Sequence, residues 1–356
     1  SQNEEFTDKY FSGVKFDISK CLIIFSYNDP NLIDKILLDR IHRIKINSLS
    51  KNEKIIIVKK HLLPEILKNV GYSENDILID NKSIEYVIEQ YTYEAGVRKL
   101  KEKLYEIVRE VNLNYLSETI TLPITIDINY IDKLFHEYPK TDIKKINDND
   151  CVGLVNGLFA TSAGIGGITI IEAFKNQSIN LLDLELTGHQ GDVMKESMRV
   201  AKTLAWNIIP NNLKDKILQD KKFGIHIHCP SAATPKDGPS AGTAITLAII
   251  SLLTGITIKK EYALTGEIDL NGNVLKIGGL ESKIDGAKSA GVKVVLCPGK
   301  NLDDLLKIRK RDYPPEDENF KVIIINTIYE AISHMLNNNG KKKIIFNNIQ
   351  KNLQNK

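Results

Sequence analysis

Apolar residues recur along this chain with two different periods, and the change of period divides it. From Lys51 the spacing is helical: "KNEKIIIVKKHLLPEIL" opens after Ser50, whose hydroxyl suits the first free N–H groups of a helix. In "EAGVRKLKEKLYEIVREVNL", Val97, Leu100, Leu104, Ile107, Val108 and Val111 fall at helical intervals and form one apolar stripe. Residues 45–138 therefore read as a small helical domain. Ahead of it, "CLIIFS" at 21–26 is a short apolar run between turn residues, the pattern of a buried strand, and "NDPNLIDKILLDRIHRI" reads as a loop and a short helix.

Residues 139–150 are polar and read as a linker, after which the period shortens. "VGLVNGLFA", "GGITIIEAF" and "SINLLDLEL" predict successive strands, and "GDVMKESMRVAKTLAWNII" an amphipathic helix. A "GIHIHC" strand, a helix after Ser240 and a hairpin "TGEIDLNGNVLKIG" turning at Asn271-Gly272 come next. The helix "GLESKIDGAKSA" stops at Gly291; "VKVVLCP", "FKVIIIN" and a helix near "IYEAISHML" end the pattern. The fold class expected is multidomain α/β (α+β): a helical domain, then a mixed α/β domain over 151–338, then a basic tail over 339–356.

At 356 residues the chain is too long for one ordinary core and suits two or three domains. Its net charge of +3 is too small to argue for nucleic acid or an anionic membrane, and the Lys/Asn-rich tail reads as a solvated terminus. Cys21, Cys151, Cys229 and Cys297 are far apart and form no CxxC pair, which excludes a zinc ribbon or a disulfide framework and gives no metal site. A reducing compartment fits that usage. The longest apolar run, around Leu247 to Ile258, is too short to span a bilayer. The first residue is Ser and the text starts as if in mid-domain, so a fragment is expected.

The chemistry concentrates in "ATPKDGPSAG" at 233–242, a strand-to-helix turn. Ser240 falls where the helix starts, a hydroxyl beside backbone N–H groups and the positive end of a helix dipole. A serine hydroxyl is inert until a base takes its proton. His226 and His228 lie nearby in sequence but alternate with Ile225 and Ile227 on a strand, which reads as structural support or as a base. Lys283, in the first turn of its helix among Ile277, Leu280 and Ile284, is the better base: dipole and apolar surroundings both lower a lysine pKa. The plainer reading is a surface lysine on an amphipathic helix.

Together, "ATPKDGPSAG", "LTGEIDLNGNVLKIGGLESKIDGAKSAG" and "TGHQGDVMKES" at 187–197 resemble the proteolytic domain of the Lon ATP-dependent proteases. The resemblance implies a Ser-Lys dyad of Ser240 and Lys283, with Thr265 orienting the amine, and no cofactor for that domain. Asp237 matches the motif aspartate beside the dyad, with capping of the turn as its other reading, and His226 and His228 match supporting positions. Where Lon proteins often carry "GLAWT", this chain has "GLFAT" followed by the Gly-rich "SAGIGG". The front third resembles the end of an AAA+ module: residues 1–44 as the remnant of its large subdomain and 45–138 as its small one. Asn28 matches the sensor-1 position, Arg40 the arginine finger and Arg98 the sensor-2 arginine.

No GxxxxGK[ST] loop occurs in the sequence, so the chain has no cradle for phosphates and Mg²⁺ and is not expected to hydrolyse ATP by itself. The resemblance implies ATP and Mg²⁺ in the full-length protein, unfolded polypeptides as substrates, a homo-oligomeric ring of six and a soluble intracellular location, cytoplasm or organelle matrix. Two further readings stay open on the residues: a catalytically silent assembly module, and a small-molecule kinase using the Gly/Ser-rich turn for phosphate. Against the kinase, Asp237 repels phosphate and Lys283 has no role.

Overall fold

The computed structural model describes residues 3–337 except 12, 29, 45, 47, 93, 142–143, 162–163, 221, 231–236 and 312. The tail at 339–356 and the first part of the 233–242 turn thus lie outside the described residues.

The chain divides into two units, residues 1–46 and 47–356. The first holds a two-stranded antiparallel ribbon, β1 (Phe6–Thr7) with β2 (Lys15–Phe16), and a short helix, α1 (Lys35–Asp39), capped by Asp34. The strand expected at 21–26 does not form, and Leu22 and Ile24 are more than 80% exposed (87% and 82%). An apolar run becomes a buried strand only when a neighbouring strand takes up its N–H and C=O groups. None of the described strands pairs with it.

In the second unit, Ser50 and Glu53 form a reciprocal capping box that starts α2 (Lys51–Ile57). The helix continues through a π-helical turn, Val58–Leu62, into α3 (Leu63–Val70). Pro64 sits directly behind that turn; its ring clashes with the carbonyl four residues back in a regular helix, and the wider turn relieves this. Strand β3 (Ile77–Ile79), α4 (Asn81–Tyr91), α5 (Arg98–Leu116), β4 (Ile124–Ile126) and α6 (Ile128–Leu134) follow. The stripe on α5 is the spine of this core: Leu100, Leu104, Ile107, Val108 and Val111 are all fully buried. The parallel pairing of β3 with β4 is an addition to the purely helical domain expected. The segment expected as a linker is pinned at both ends. Lys140 Nζ meets Asp132 at 2.9 Å, Thr141 N donates to Gln90 O, and Ile146 N donates to Ala290 O.

Beyond it come β5 (Leu154–Ala160), β6 (Gly166–Gln177), β7 (Leu184–Thr187), α7 (Asp192–Ile208), α8 (Asn211–Gln219) and β8 (Phe223–His228). Then follow α9 (Gly242–Thr254), β9 (Tyr262–Leu264), β10 (Glu267–Ile268), β11 (Val274–Leu275) and α10 (Leu280–Ser289). Strand β12 (Val294–Pro298), α11 (Leu302–Arg309), β13 (Lys321–Ile325) and α12 (Ile328–Met335) complete the order.

Seven strands form one mixed sheet in the order β13-β12-β9-β5-β6-β8-β7, parallel from β13 to β5, antiparallel across β5-β6-β8, and parallel again at β8-β7. Alternation assigns the two faces. Leu264 and Leu296 join the core under α7, α9 and α12, while Ala263, Val295 and Cys297 join the core under α10 and α11. Helix α9 is buried all round, with nearly every residue inaccessible, which explains its unbroken apolar run. The β10-β11 hairpin forms as expected, Asp269 accepting from the N–H groups of Asn271 and Asn273 and Gly272 taking φ +86°.

Candidate active site

Parallel β5 and β9 end on the same edge of the sheet, and there the starts of α9 and α10 converge from opposite faces. A 3₁₀ turn, Pro239–Ala241, carries Ser240 into α9. The Ser240 carbonyl accepts from Gly266 N at 2.8 Å and from Thr265 Oγ1 at 3.3 Å, which ties the turn to the end of β9. From the other face, α10 brings Lys283, whose Nζ lies 2.9 Å from Ser240 Oγ and 3.1 Å from Thr265 Oγ1.

Lys283 is 4% exposed and Thr265 fully buried. Ile277, Leu280 and Ile284 are buried around the base of α10, as their spacing led one to expect. Burial alone pushes the Lys283 amine down to about 8 from 10.5, with no neighbouring charge opposing it. Because the Thr265 hydroxyl donates to the Ser240 carbonyl, its lone pairs face the amine. A neutral Lys283 then donates one N–H to Thr265 and aims its lone pair at the Ser240 hydroxyl.

Asp237 lines the same cavity as Ser240 and Lys283 and also caps a helix. Its Oδ1 accepts from Met194 N at 3.1 Å and from Gly238 N at 3.0 Å, so it caps the start of α7. Gly191, at that start, leaves the room this needs: a Cβ there would come within 2.3 Å of Asp237 Cγ. His226 Nε2 and His228 Nδ1 both bond to Thr187 Oγ1, at 2.8 and 2.7 Å, across the β7-β8 pair. The Thr187 hydroxyl has one proton to give, so at most one ring accepts from it and the other donates to its oxygen, a bracing arrangement that includes no bond to Ser240 among the described residues. Asn28 and Arg40 are exposed in the first unit. Arg98 is 91% exposed at the start of α5, where its Nε lies 3.5 Å from Glu102.

The dyad opens into a cavity of about 890 Å³. One wall is the end of the β5-β6 hairpin; facing it are Ser48, Leu49, Thr92 and Ala95 of the helical region. The hairpin tip touches that region directly, since a Cβ on Gly164 would lie 3.0 Å from Ser48 Cβ. This wall comes from residues more than a hundred positions away, and nothing local in the sequence signals it. Asp285, two residues past Lys283, also lines the cavity; burial and the Glu53 charge push its carboxyl up to about 6.

The model of the Lon protease (S16) C-terminal proteolytic domain matches residues 126–338, and that of the Lon protease AAA+ ATPase lid domain matches 68–123. The chain belongs to the Lon protease family. It is 37% identical to a Lon protease homolog of Acanthamoeba polyphaga mimivirus, over 94% of this chain and 38% of that protein. It is 39% identical to a Lon protease of Campylobacter jejuni over 94% of this chain and 42% of that protein. The Lon protease of Methanosphaera stadtmanae is 37% identical over 98% and 42%. The chain thus spans about two fifths of the length of these curated relatives. The Lon assignment makes it a member of a peptidase family, with a helical lid followed by an α/β proteolytic domain. Among the described residues, no helix is long and apolar enough to cross a membrane.

Proposed function

We propose that this chain cleaves peptide bonds as a Lon-type serine protease, with Ser240 as nucleophile and Lys283 as its base. The observation that carries the reading is the 2.9 Å contact between Lys283 Nζ and Ser240 Oγ, made by an amine that burial holds near 8. An amine in that range is substantially neutral at mildly alkaline pH and still basic enough to accept a proton.

In the proposed sequence the Ser240 oxygen attacks the scissile carbonyl carbon while its proton passes to the Lys283 amine. The carbonyl oxygen takes the negative charge at the N-terminal end of α9, where helix amide groups point outward. The C–N bond then breaks as the Lys283 ammonium returns the proton to the leaving nitrogen. Water, deprotonated by the regenerated amine, attacks the ester carbon, and the bond from that carbon to Ser240 Oγ breaks as the Lys283 ammonium returns the proton to the serine oxygen. Thr265 keeps the amine's lone pair on the serine throughout. Asp237, on the cavity wall, ties the turn before Ser240 to the start of α7, and His226 and His228 brace the β7-β8 pair.

The substrate class that fits is an unfolded polypeptide: the cavity is open, and an extended segment reaches the dyad where a folded domain does not. We read residues 45–138 as the lid and 151–338 as the proteolytic domain, acting in a homo-oligomer of six subunits. The residues present do not fit the phosphates of ATP, because no GxxxxGK[ST] loop occurs, and no step above passes through nucleotide. Asn28, Arg40 and Arg98 are assigned to nucleotide sensing where a phosphate-binding segment accompanies them. The test is cleavage of an unfolded protein and a fluorogenic peptide by this chain, S240A and K283A. Loss in both variants supports the reading; full activity in either folded variant removes it.

A further inference from the structure

The Gly-rich run at the start of β6 has no role in the chemistry above. Neither Gly166 nor Gly167 has a left-handed φ, so backbone freedom does not explain them. Space does. A Cβ on Gly166 would lie 1.8 Å from the Ser282 carbonyl oxygen and 2.9 Å from Lys283 N. One helical turn beyond Ser282, a Cβ on Gly286 would lie 2.2 Å from the Gly166 carbonyl carbon and 2.3 Å from Gly167 N. Two glycines therefore meet face to face, with main chain against main chain, and main-chain atoms cannot swing aside as a side chain can. Lys283 rides on this turn of α10, while its two partners, Ser240 and Thr265, are held by the start of α9 and the end of β9.

From this we infer that Gly166 and Gly286 are positioning residues for the base: their contact sets how closely α10 approaches the sheet, and so whether the Lys283 amine reaches Ser240. The inference rests on the proposed dyad. A methyl group inserted at the contact moves α10 outward, and a displacement near 1 Å at a reacting group costs on the order of 10²-fold in rate. It also loosens the packing that lowers the lysine pKa.

The experiment compares the unmodified chain with G166A, G286A and G167A, each first shown to unfold cooperatively. The rate of Ser240 acylation by a fluorophosphonate probe is followed across pH, with peptide-cleavage kcat and KM alongside. The added methyl of G167A meets only the far end of the Phe159 ring, at 2.8 Å, which can rotate away. G166A is expected to lose about 10²-fold in kcat and acylation rate, with KM little changed. Its pH midpoint should move up from about 8 toward 10.5, while G167A keeps the original midpoint. Should G166A not fold, G286A presses the same contact from the helix side and is read in its place. A folded G166A or G286A with unaltered rate and midpoint overturns the inference, as does an equal midpoint shift in G167A, whose methyl meets Phe159 and not α10. If K283A in the otherwise unmodified chain keeps the pH-dependent rise, the dyad reading itself fails, and the two failures are told apart.

Discussion

Two lysines are buried among the described residues, one in the helical region and one in the proteolytic domain, and their surroundings differ in one decisive way. Lys54 is 6% exposed and Lys283 4%, and burial lowers the pKa of both. Lys54 donates to the Glu94 main-chain oxygen, and the Glu94 charge nearby favours its ammonium form. A carbonyl oxygen accepts hydrogen bonds and never donates them, so Lys54 has a partner only as a donor. Lys283 meets two hydroxyls instead. The Ser240 hydroxyl accepts from the ammonium and donates to the neutral amine, so the same contact survives proton transfer. Burial makes a lysine titratable near neutrality; a partner that can reverse its role makes it a base.

The largest effects should fall on the proteolytic lysine and its serine. S240A is expected to lower peptide cleavage by on the order of 10⁴-fold or more, and K283A by about 10²–10⁴-fold, measured as kcat/KM on a fluorogenic peptide. T265V removes one acceptor of the Lys283 amine and should cost about 10-fold in kcat. Because that acceptor favours the ammonium, the midpoint of the pH profile should move below 8 in T265V. A midpoint that rises instead would mean Thr265 does not face the amine as described.

The pair also differs in what each lysine does to stability. Lys283 titrates near 8 folded and 10.5 unfolded, so between these values the unfolded chain binds more protons and stability rises with pH. Below about 8 the full penalty is present, on the order of 3 kcal/mol. K283M, followed by thermal or urea unfolding at pH 7, should therefore gain stability by up to that amount, and the gain should fade between pH 8 and 10.5. The smallest effect belongs to the helical region: K54M should stabilise less than K283M, because Glu94 already favours the charged lysine, and should leave the cleavage midpoint at about 8.

Much of this was legible in the residues, for reasons that can be named. The α5 stripe and the Asn271-Gly272 turn are local signals, as is the Gly291 stop, where φ is +88°. Ser240, Lys283 and Thr265 stand in ordered motifs, and the fold brings them within hydrogen-bonding distance. What escaped is non-local or too short. The three-residue strands β3 and β4 carry no readable alternation, and only the last three residues of "SINLLDLEL" enter a strand, β7. Asp237 finds its partner, the start of α7, 43 positions back in the chain. The exposed 21–26 run shows the converse: apolar composition alone makes no strand without a neighbour to pair with.

The most direct measurement is the rate of Ser240 acylation by a fluorophosphonate probe between pH 6 and 11, for the unmodified chain and for K283A. A single rise centred near 8 that is absent from K283A is the predicted result. A rise centred near 10.5, or one that survives removal of Lys283, would contradict the assignment of a buried neutral lysine as the base.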